Sequence, residues 1–233
     1  QLQSEGQYVL ATQAKSFAEA DSATNKFAGS TVLDVANRMA SEYNAFALPE
    51  LTLIDEHVQL GRTVYFQDNQ LIGYFNREQS RGYLAAVYTI RNGVMVLDIP
   101  DIGTISLKLE NTSSKITADI VDDVPHFQIE VSCKAYISEI NQDLRKKLSL
   151  DVYEKFETAL NEKLKLQIES AVEQAVIRDS TDIFNFDVAL QQQQTEYWKV
   201  HRDSWAQELA KIKYTVNVTS SVDRVQQEAS PAF

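Results

Sequence analysis

The feature that most constrains the fold of this chain is a long stretch without glycine or proline. Neither residue occurs from His126 to Ser230, and these are the two residues that most often interrupt helices and strands. We therefore expect long, uninterrupted elements in the second half of the chain. Ser149 can cap a helix of about thirty residues, because apolar side chains follow it at every fourth position. These side chains are Val152, Phe156, Leu160, Leu164, Ile168, Val172 and Val176.

The first half of the chain changes from a helical pattern to strand patterns. Residues 30–46 predict an amphipathic helix with Ser30 as its N-cap, because apolar residues recur there at steps of three or four. Leu48-Pro49 is expected to end this helix. From Leu51 onward the apolar period becomes two, which is typical of strands. The apolar positions of the predicted helix are Val32, Val35, Met39 and Tyr43.

Two hairpins are predicted from short polar turns. Asp68 and Asn69 tolerate the left-handed backbone that a tight turn needs. Asn92-Gly93 is a stronger signal of the same kind, because glycine adopts that backbone at no steric cost. The strands that these two turns would join are residues 62–67 with 71–75, and residues 83–91 with 94–99.

The remaining strand patterns complete an α+β prediction. Apolar residues alternate along residues 127–137, with Phe127, Ile129, Val131 and Cys133 on one face. Short connections between successive strands favour antiparallel pairing. We therefore expect a mostly antiparallel sheet packed against the long helix of the C-terminal half and against shorter helices. Further strands are predicted at residues 103–109, 116–121 and 213–222.

Composition and residue spacing exclude several classes of function. The net charge of −11 would repel the phosphates of nucleic acid, so nucleic acid is not an expected partner. No apolar run reaches the roughly 18 residues that a membrane-spanning helix needs. The scattered His57, His126 and His201 do not suggest a metal site, and Cys133 alone cannot form an internal disulfide. No catalytic residue, metal ligand or cofactor is predicted, and the chain is not expected to be an enzyme.

Four residues stand out in the C-terminal half as structural or interface candidates: Asp182, Phe184, Trp198 and Trp205. Asp182 follows the long helix and can cap the next one, while Phe184 or the nearby Phe186 can fill the core. The two tryptophans are seven residues apart, which places both indoles on one helical face. Three roles remain open for them: a helix anchored on the sheet, an interface with another protein, or a ligand cage shared with Tyr197.

Three ordered motifs resemble a known family. Residues 61–75 look like its opening hairpin, and Glu78-Gln-Ser-Arg-Gly82 looks like the turn that follows. The third motif runs from Asp182 through the two tryptophans to the strand that ends near Thr219. Together they resemble the C-terminal domain of the C subunit of bacterial spore germinant receptors, the GerAC-type lipoproteins. The chain departs from the family at Asn185, where glycine is common, although asparagine can adopt the same left-handed backbone.

The resemblance implies a non-enzymatic receptor subunit that assembles with a multi-spanning A subunit and a transporter-like B subunit. It also implies an extracytoplasmic protein, held at the outer face of the spore inner membrane by a lipid anchor. The leader and the lipid-attachment cysteine would then lie upstream of this chain. Residues 1–48 are expected to be the end of a preceding domain, and residues 49–233 the GerAC-like domain. A module that binds a small germinant molecule is the alternative.

Overall fold

The structure is a computed structural model that describes residues 32–40, 43–54, 57–90, 93–140 and 148–223. The described strands are β1 (Ala45–Ile54), β2 (His57–Gln67), β3 (Gln70–Phe75), β4 (Gly93–Ile99), β5 (Gly103–Val121), β6 (Val124–Glu139) and β7 (Lys213–Asp223). The described α-helices are α1 (Val32–Met39), α2 (Arg77–Val87), α3 (Leu150–Val172), α4 (Phe186–Gln193), α5 (Thr195–His201) and α6 (Trp205–Glu208). The predicted α+β class is confirmed.

The described strands form two sheets. Strands β1, β2 and β3 make an antiparallel sheet in that order, here called sheet A. Strands β4 to β7 make sheet B, in which β7 pairs parallel to β6 while the other pairs are antiparallel. This parallel pair was not predicted. It forms because helices, and not a tight turn, connect β6 to β7, so the chain can return in the same direction.

The long helix α3 packs against sheet B and supplies much of the core. It contacts β7 and β4, and six of its predicted apolar positions, from Phe156 to Val176, are buried. Ser149 is its N-cap residue, and the helix continues as a π-helix over Glu173–Arg178. Strand β6 faces it with the predicted alternating residues, and these are buried too. The predictions of a long helix and of an apolar face on β6 are confirmed.

The hairpin at Asp68-Asn69 is confirmed. The two residues link β2 to β3, and both have the left-handed backbone, with φ of 50° and 64°. Gly73 on β3 lies directly against the ring of Tyr65 on β2, since a Cβ at residue 73 would come within 2.4 Å of the tyrosine hydroxyl oxygen. The hairpin therefore depends on its turn residues and on one glycine that admits an aromatic ring.

The hairpin predicted at Asn92-Gly93 is wrong, because residues 77–87 form helix α2 where a strand was expected. Asn76 caps this helix: its side-chain oxygen accepts a hydrogen bond from the Gln79 backbone N–H at 2.9 Å. In return, the side chain of Gln79 accepts one from the Asn76 backbone N–H at 3.1 Å. This capping box is a local helix signal, and it outweighs the turn signal downstream. Asn92 itself lies outside the described residues.

The first helix is shorter than predicted. Helix α1 ends at Met39, and Phe46, which was expected in the helix, lies in β1 opposite Phe66 of β2. The two phenyl rings stack with their centroids 5.2 Å apart. Pairing with β2 thus overrides the helical pattern after residue 40, since cross-strand aromatic pairs stabilise a sheet. The predicted N-cap, Ser30, lies outside the described residues.

The predicted strands 103–109 and 116–121 are parts of one strand of 19 residues, β5. Its register with β6 shifts between Leu109 and Asn111, so an irregularity of the strand stands where a loop was expected. The predicted domain boundary between residues 48 and 49 lies within β1. The division into two domains stays a prediction.

Helix α2 approaches α3 most closely at Gly82. A Cβ built on this residue would lie 2.2 Å from the backbone carbonyl oxygen of Gln167 and 2.6 Å from the backbone nitrogen of Ile168. Backbone atoms in the middle of a packed helix cannot move aside as a flexible side chain can. The contact between the two helices therefore requires glycine at this position.

Gly82→Ala should lower the free energy of unfolding by about 1–3 kcal/mol, because overpacking outweighs the roughly 1 kcal/mol by which alanine improves helix propensity. Urea denaturation measures the change. Ser80→Ala in the same helix is the control, since the Ser80 hydroxyl is buried with no hydrogen-bond partner among the described residues. Its removal should be neutral or stabilising. A stabilised Gly82→Ala variant would contradict the close packing.

Candidate functional site

The four residues singled out in the sequence lie in one buried region. Asp182 and Phe184 are completely buried, and Trp198 and Trp205 are 5% and 1% exposed. The region is built from the segment between the π-helix and α4, from helices α5 and α6, and from strand β6 of sheet B. We call it the Asp182 cluster.

Two left-handed residues shape the segment that carries Asp182. Ser180 has φ of 50° and Asn185 has φ of 64°, so the chain turns sharply before Asp182 and again before α4. Asparagine adopts this conformation more readily than most residues with a side chain. The hydroxyl of Tyr43 donates a hydrogen bond to the carbonyl of Ser180 at 2.7 Å, which fixes the first turn against the start of β1.

The carboxylate of Asp182 is the centre of the cluster. One oxygen accepts a hydrogen bond from the backbone N–H of Phe186 at 3.0 Å, and the other accepts one from the backbone N–H of Asp187 at 2.7 Å. The second oxygen also accepts the indole N–H of Trp205 at 3.1 Å. These N–H groups are the first two of helix α4, so the carboxylate caps that helix and stabilises its positive end. One buried charge thereby joins α4 to α6.

A second buried carboxylate, that of Asp187, pairs with Arg38 of α1. The guanidinium donates to both carboxylate oxygens at 3.3 Å. It also donates to the backbone carbonyls of Asp182 and Ala45, at 3.1 Å each. Four acceptors from three separate segments thus converge on one arginine, whose planar group is suited to such a fork. The arrangement attaches α1 and β1 to the start of α4.

The two carboxylates change the acid strength of Asp187. Burial raises the pKa of the Asp187 carboxyl to about 7, and the neighbouring charge of Asp182 raises this pKa further, while Arg38 lowers it. Burial also raises the pKa of the Tyr43 hydroxyl well above its usual value, with Asp182 as the next cause. The desolvation of Asp187 therefore has a greater effect than its ion pair.

Aromatic rings surround the carboxylates and seal them from water. Phe186 stacks on Phe127 of β6 with ring centroids 4.2 Å apart, and Phe184 stacks on Phe186 at 5.9 Å. Trp205 meets Phe127 edge-on at 6.3 Å and Trp198 edge-on at 5.6 Å. Such pairs contribute about 0.5–1.5 kcal/mol each beyond the burial of their area.

The tryptophans do not share one continuous helix. Trp198 lies in α5 and Trp205 begins α6, and a 3-10 turn over Arg202–Ser204 separates the two helices. The indoles meet nonetheless, as their spacing predicted. Tyr197, proposed as a third wall of a ligand cage, stacks in parallel on His201 with centroids 3.9 Å apart.

Chemically, the cluster is suited to anchoring. Its charged groups are engaged by backbone N–H groups, an indole and a guanidinium. In the described part of the chain, no group of three or more His, Cys, Asp or Glu side chains could hold a metal ion. Burial raises the pKa of Cys133 to about 12, which keeps this thiol protonated and unreactive near neutral pH. Across the same ranges, no helix is long and apolar enough to cross a membrane.

Two charged members of the cluster were missed by the sequence analysis, Arg38 and Asp187. Arg38 lies 149 residues before its partner, and no local pattern links such distant positions. Asp187 gave a weak signal, as an acidic residue in the first turn of a helix. Its position there matched the helix dipole, which concealed its contact with an arginine.

Comparisons with known proteins agree with the motif order in the sequence. A family model described as "Spore germination B3/ GerAC like, C-terminal" matches residues 61–226. No curated protein matches the chain. Among solved structures, the chain is similar to "Crystal Structure of the GerBC protein", with a TM-score of 0.73 and 15% sequence identity. The match covers 87% of this chain and 65% of that one, and at this identity it shows a common fold.

Asp182→Asn should lower the free energy of unfolding by about 2–4 kcal/mol, because an amide replaces an acceptor oxygen and leaves a buried N–H without a partner. Chemical denaturation measures the loss. Asp203→Asn is the matched control, since the side chain of Asp203 is 96% exposed and its replacement should change stability by less than about 0.5 kcal/mol. Equal effects of the two substitutions would contradict the role of the buried carboxylate.

The raised pKa of Asp187 predicts a pH-dependent stability. Between about pH 4 and pH 7 the folded state keeps the Asp187 proton that the unfolded state has lost, so this group destabilises the fold progressively as pH rises. The difference in unfolding free energy between the wild type and Asp187→Asn should therefore fall over this range. Urea titrations at several pH values measure it. A difference that rises with pH would mean that Arg38 dominates and depresses the pKa.

Proposed function

The chain belongs to the spore germination B3/GerAC-like family and carries its C-terminal domain, and from that premise we propose that it is a non-enzymatic C subunit of a nutrient germinant receptor. The observation that carries the proposal is the family match, which extends over more than two thirds of the chain, from residue 61 to residue 226. The three ordered motifs of the sequence fall within the same range.

The proposed partners are the A and B subunits of the receptor. The chain would act outside the cytoplasm, at the outer face of the spore inner membrane, where a lipid anchor on the parent protein holds it. The similar GerBC structure is longer than this chain, which covers 65% of it. This supports a division in which residues 49–233 form the GerAC-like domain and residues 1–48 end a preceding domain.

The Asp182 cluster has a structural role in this proposal. Asp182, Phe184, Trp198 and Trp205 are buried and bonded to one another or to the core, so partner subunits would contact other surfaces. The non-enzymatic character is supported by the way the cluster uses its charges: each faces backbone groups, an indole or a guanidinium and meets no exposed nucleophile.

Co-purification from spore membranes tests the proposal. The full-length protein, extracted with mild detergent, should carry the A and B subunits with it. A protein that is never membrane-associated and never found with those subunits would contradict the receptor assignment. Mass spectrometry of the purified complex identifies the partners without assuming their surfaces.

Trp205→Ala separates a structural role from an interface role. If the indole is core, the substitution should lower the free energy of unfolding by about 3–5 kcal/mol. Thermal denaturation of the isolated domain measures this. An unchanged melting temperature together with a loss of receptor assembly would favour the interface role. Val200→Ala is the control, since Val200 is 76% exposed and its truncation should leave stability nearly unchanged.

A germinant-binding module is the second candidate, and one observation favours it. Trp205 forms part of a cleft of about 450 Å³ with Tyr43, Asn44 and Gln67, and the buried side-chain oxygen of Asn44 has no hydrogen-bond partner among the described residues. Titration with amino acids and sugars, followed by NMR, tests this candidate. The absence of shifts in cleft residues at about 10 mM ligand, well above a millimolar Kd, would exclude it.

A further inference from the structure

A second, polar groove lies on the other side of the molecule from the family signature's aromatic residues, between α2, α3 and β4. It has a volume of about 530 Å³. The start of α2 contributes Glu78, the end of β4 contributes Asp98, and α3 contributes Glu162, Lys163, Leu166 and Gln167. None of these residues belongs to the Asp182 cluster. We call this feature the Gln167 groove.

The unusual member of this groove is Gln167. It is 3% exposed, and within the described ranges neither its amide nitrogen nor its amide oxygen has a hydrogen-bond partner. A buried polar group without a partner costs about 1–3 kcal/mol, so an amide that lacks both a donor and an acceptor partner calls for an explanation. The chemical complement of a primary amide is another amide, which offers one N–H and one C=O side by side.

The groove also selects for charge. Glu78, Asp98 and Glu162 give it three carboxylates against the single ammonium of Lys163. That ammonium already donates to the backbone carbonyl of Val96 at 3.1 Å and lies 3.9 Å from Glu78. The groove is therefore net negative, and a ligand with a positive charge complements it better than a neutral or anionic one.

Apolar surface borders the charged groups. Leu166 lines the groove and is 65% exposed, and Val96 on the adjacent strand β4 is 49% exposed. Within the described sheet B, β4 is an edge strand with β5 as its neighbour. The amide, the carboxylates and the exposed leucine together match a short peptide: its backbone, a basic side chain and an apolar side chain.

We propose that the Gln167 groove binds an extended peptide segment with a basic side chain, supplied by a partner subunit of the receptor. An extended segment fits better than a helix, because the N–H and C=O groups of a helix are already bonded to each other. Gln167 pairs with one peptide unit of the segment, and Asp98 and Glu162 face its cation. The identity of the partner as a receptor subunit rests on the function proposed above, whereas the peptide chemistry of the groove does not.

NMR titration tests the groove with a defined probe. The probe is an acetylated and amidated tripeptide of leucine, lysine and leucine, and its counterpart carries glutamate in place of lysine. At about 10 mM, the lysine peptide should shift the side-chain amide signals of Gln167 with a millimolar Kd, and the glutamate peptide should not. The absence of a shift, or equal shifts from both peptides, would overturn the proposal and leave water as the only partner of the amide.

Gln167→Met supplies the decisive variant, because methionine keeps the length of the side chain and removes both unpartnered atoms. This variant should be at least as stable as the wild type, yet should bind the lysine peptide about fivefold more weakly, the scale of one lost hydrogen bond. Glu162→Gln should weaken binding similarly. Glu154→Gln, on the exposed side of the same helix, should bind as the wild type does. Undiminished binding by Gln167→Met would overturn the proposal.

In spores, full-length Gln167→Met should recover less of the A and B subunits than the wild type does, while remaining membrane-associated. Full recovery, alongside peptide binding in vitro, would overturn the assignment of the segment to a receptor partner. This outcome differs from failure of the receptor proposal itself, in which the wild-type protein already recovers neither subunit.

Discussion

The carboxylate of Asp182, buried and held by three N–H groups, is the interaction on which the C-terminal half of the structure depends. A charge in an apolar interior is unfavourable unless hydrogen bonds replace its hydration. The backbone at the start of α4 and the indole of Trp205 supply those bonds. The carboxylate can therefore remain buried only while the segment, the helix and the tryptophan hold these positions together, which makes the packing around it specific.

The same region attaches the earlier part of the chain to the later part. Arg38 bonds to Asp187 and to the carbonyls of Asp182 and Ala45, so α1 and β1 are bound to the start of α4. Two carboxylates share this single cation. A buried ion pair of this kind contributes more to fixing one arrangement than to stability, because desolvation cancels much of the attraction. The raised pKa of Asp187 expresses that balance.

Sequence reasoning succeeded where the signal was local or periodic. The four-residue stripe of α3 predicted its buried face, and Asp68-Asn69 predicted its turn, because both depend on neighbouring residues alone. It failed at Asn92-Gly93, where the capping box of Asn76 and the contact of Gly82 with α3 favour a helix. It also missed Arg38, whose partner is 149 residues away, and Gln167, whose burial depends on packing between helices. The family resemblance located the signature, but gave no sign of these long-range contacts.

The account divides the molecule into a buried cluster that identifies the family and outer surfaces that are available for contact. Its central claim is that the Asp182 carboxylate organises the cluster, and hydrogen exchange tests this most directly. The amide protons of Phe186 and Asp187 and the indole proton of Trp205 should exchange together, and only on global unfolding of the domain. Exchange of these three protons at separate rates, or far faster than the core amides of β6, would contradict the claim.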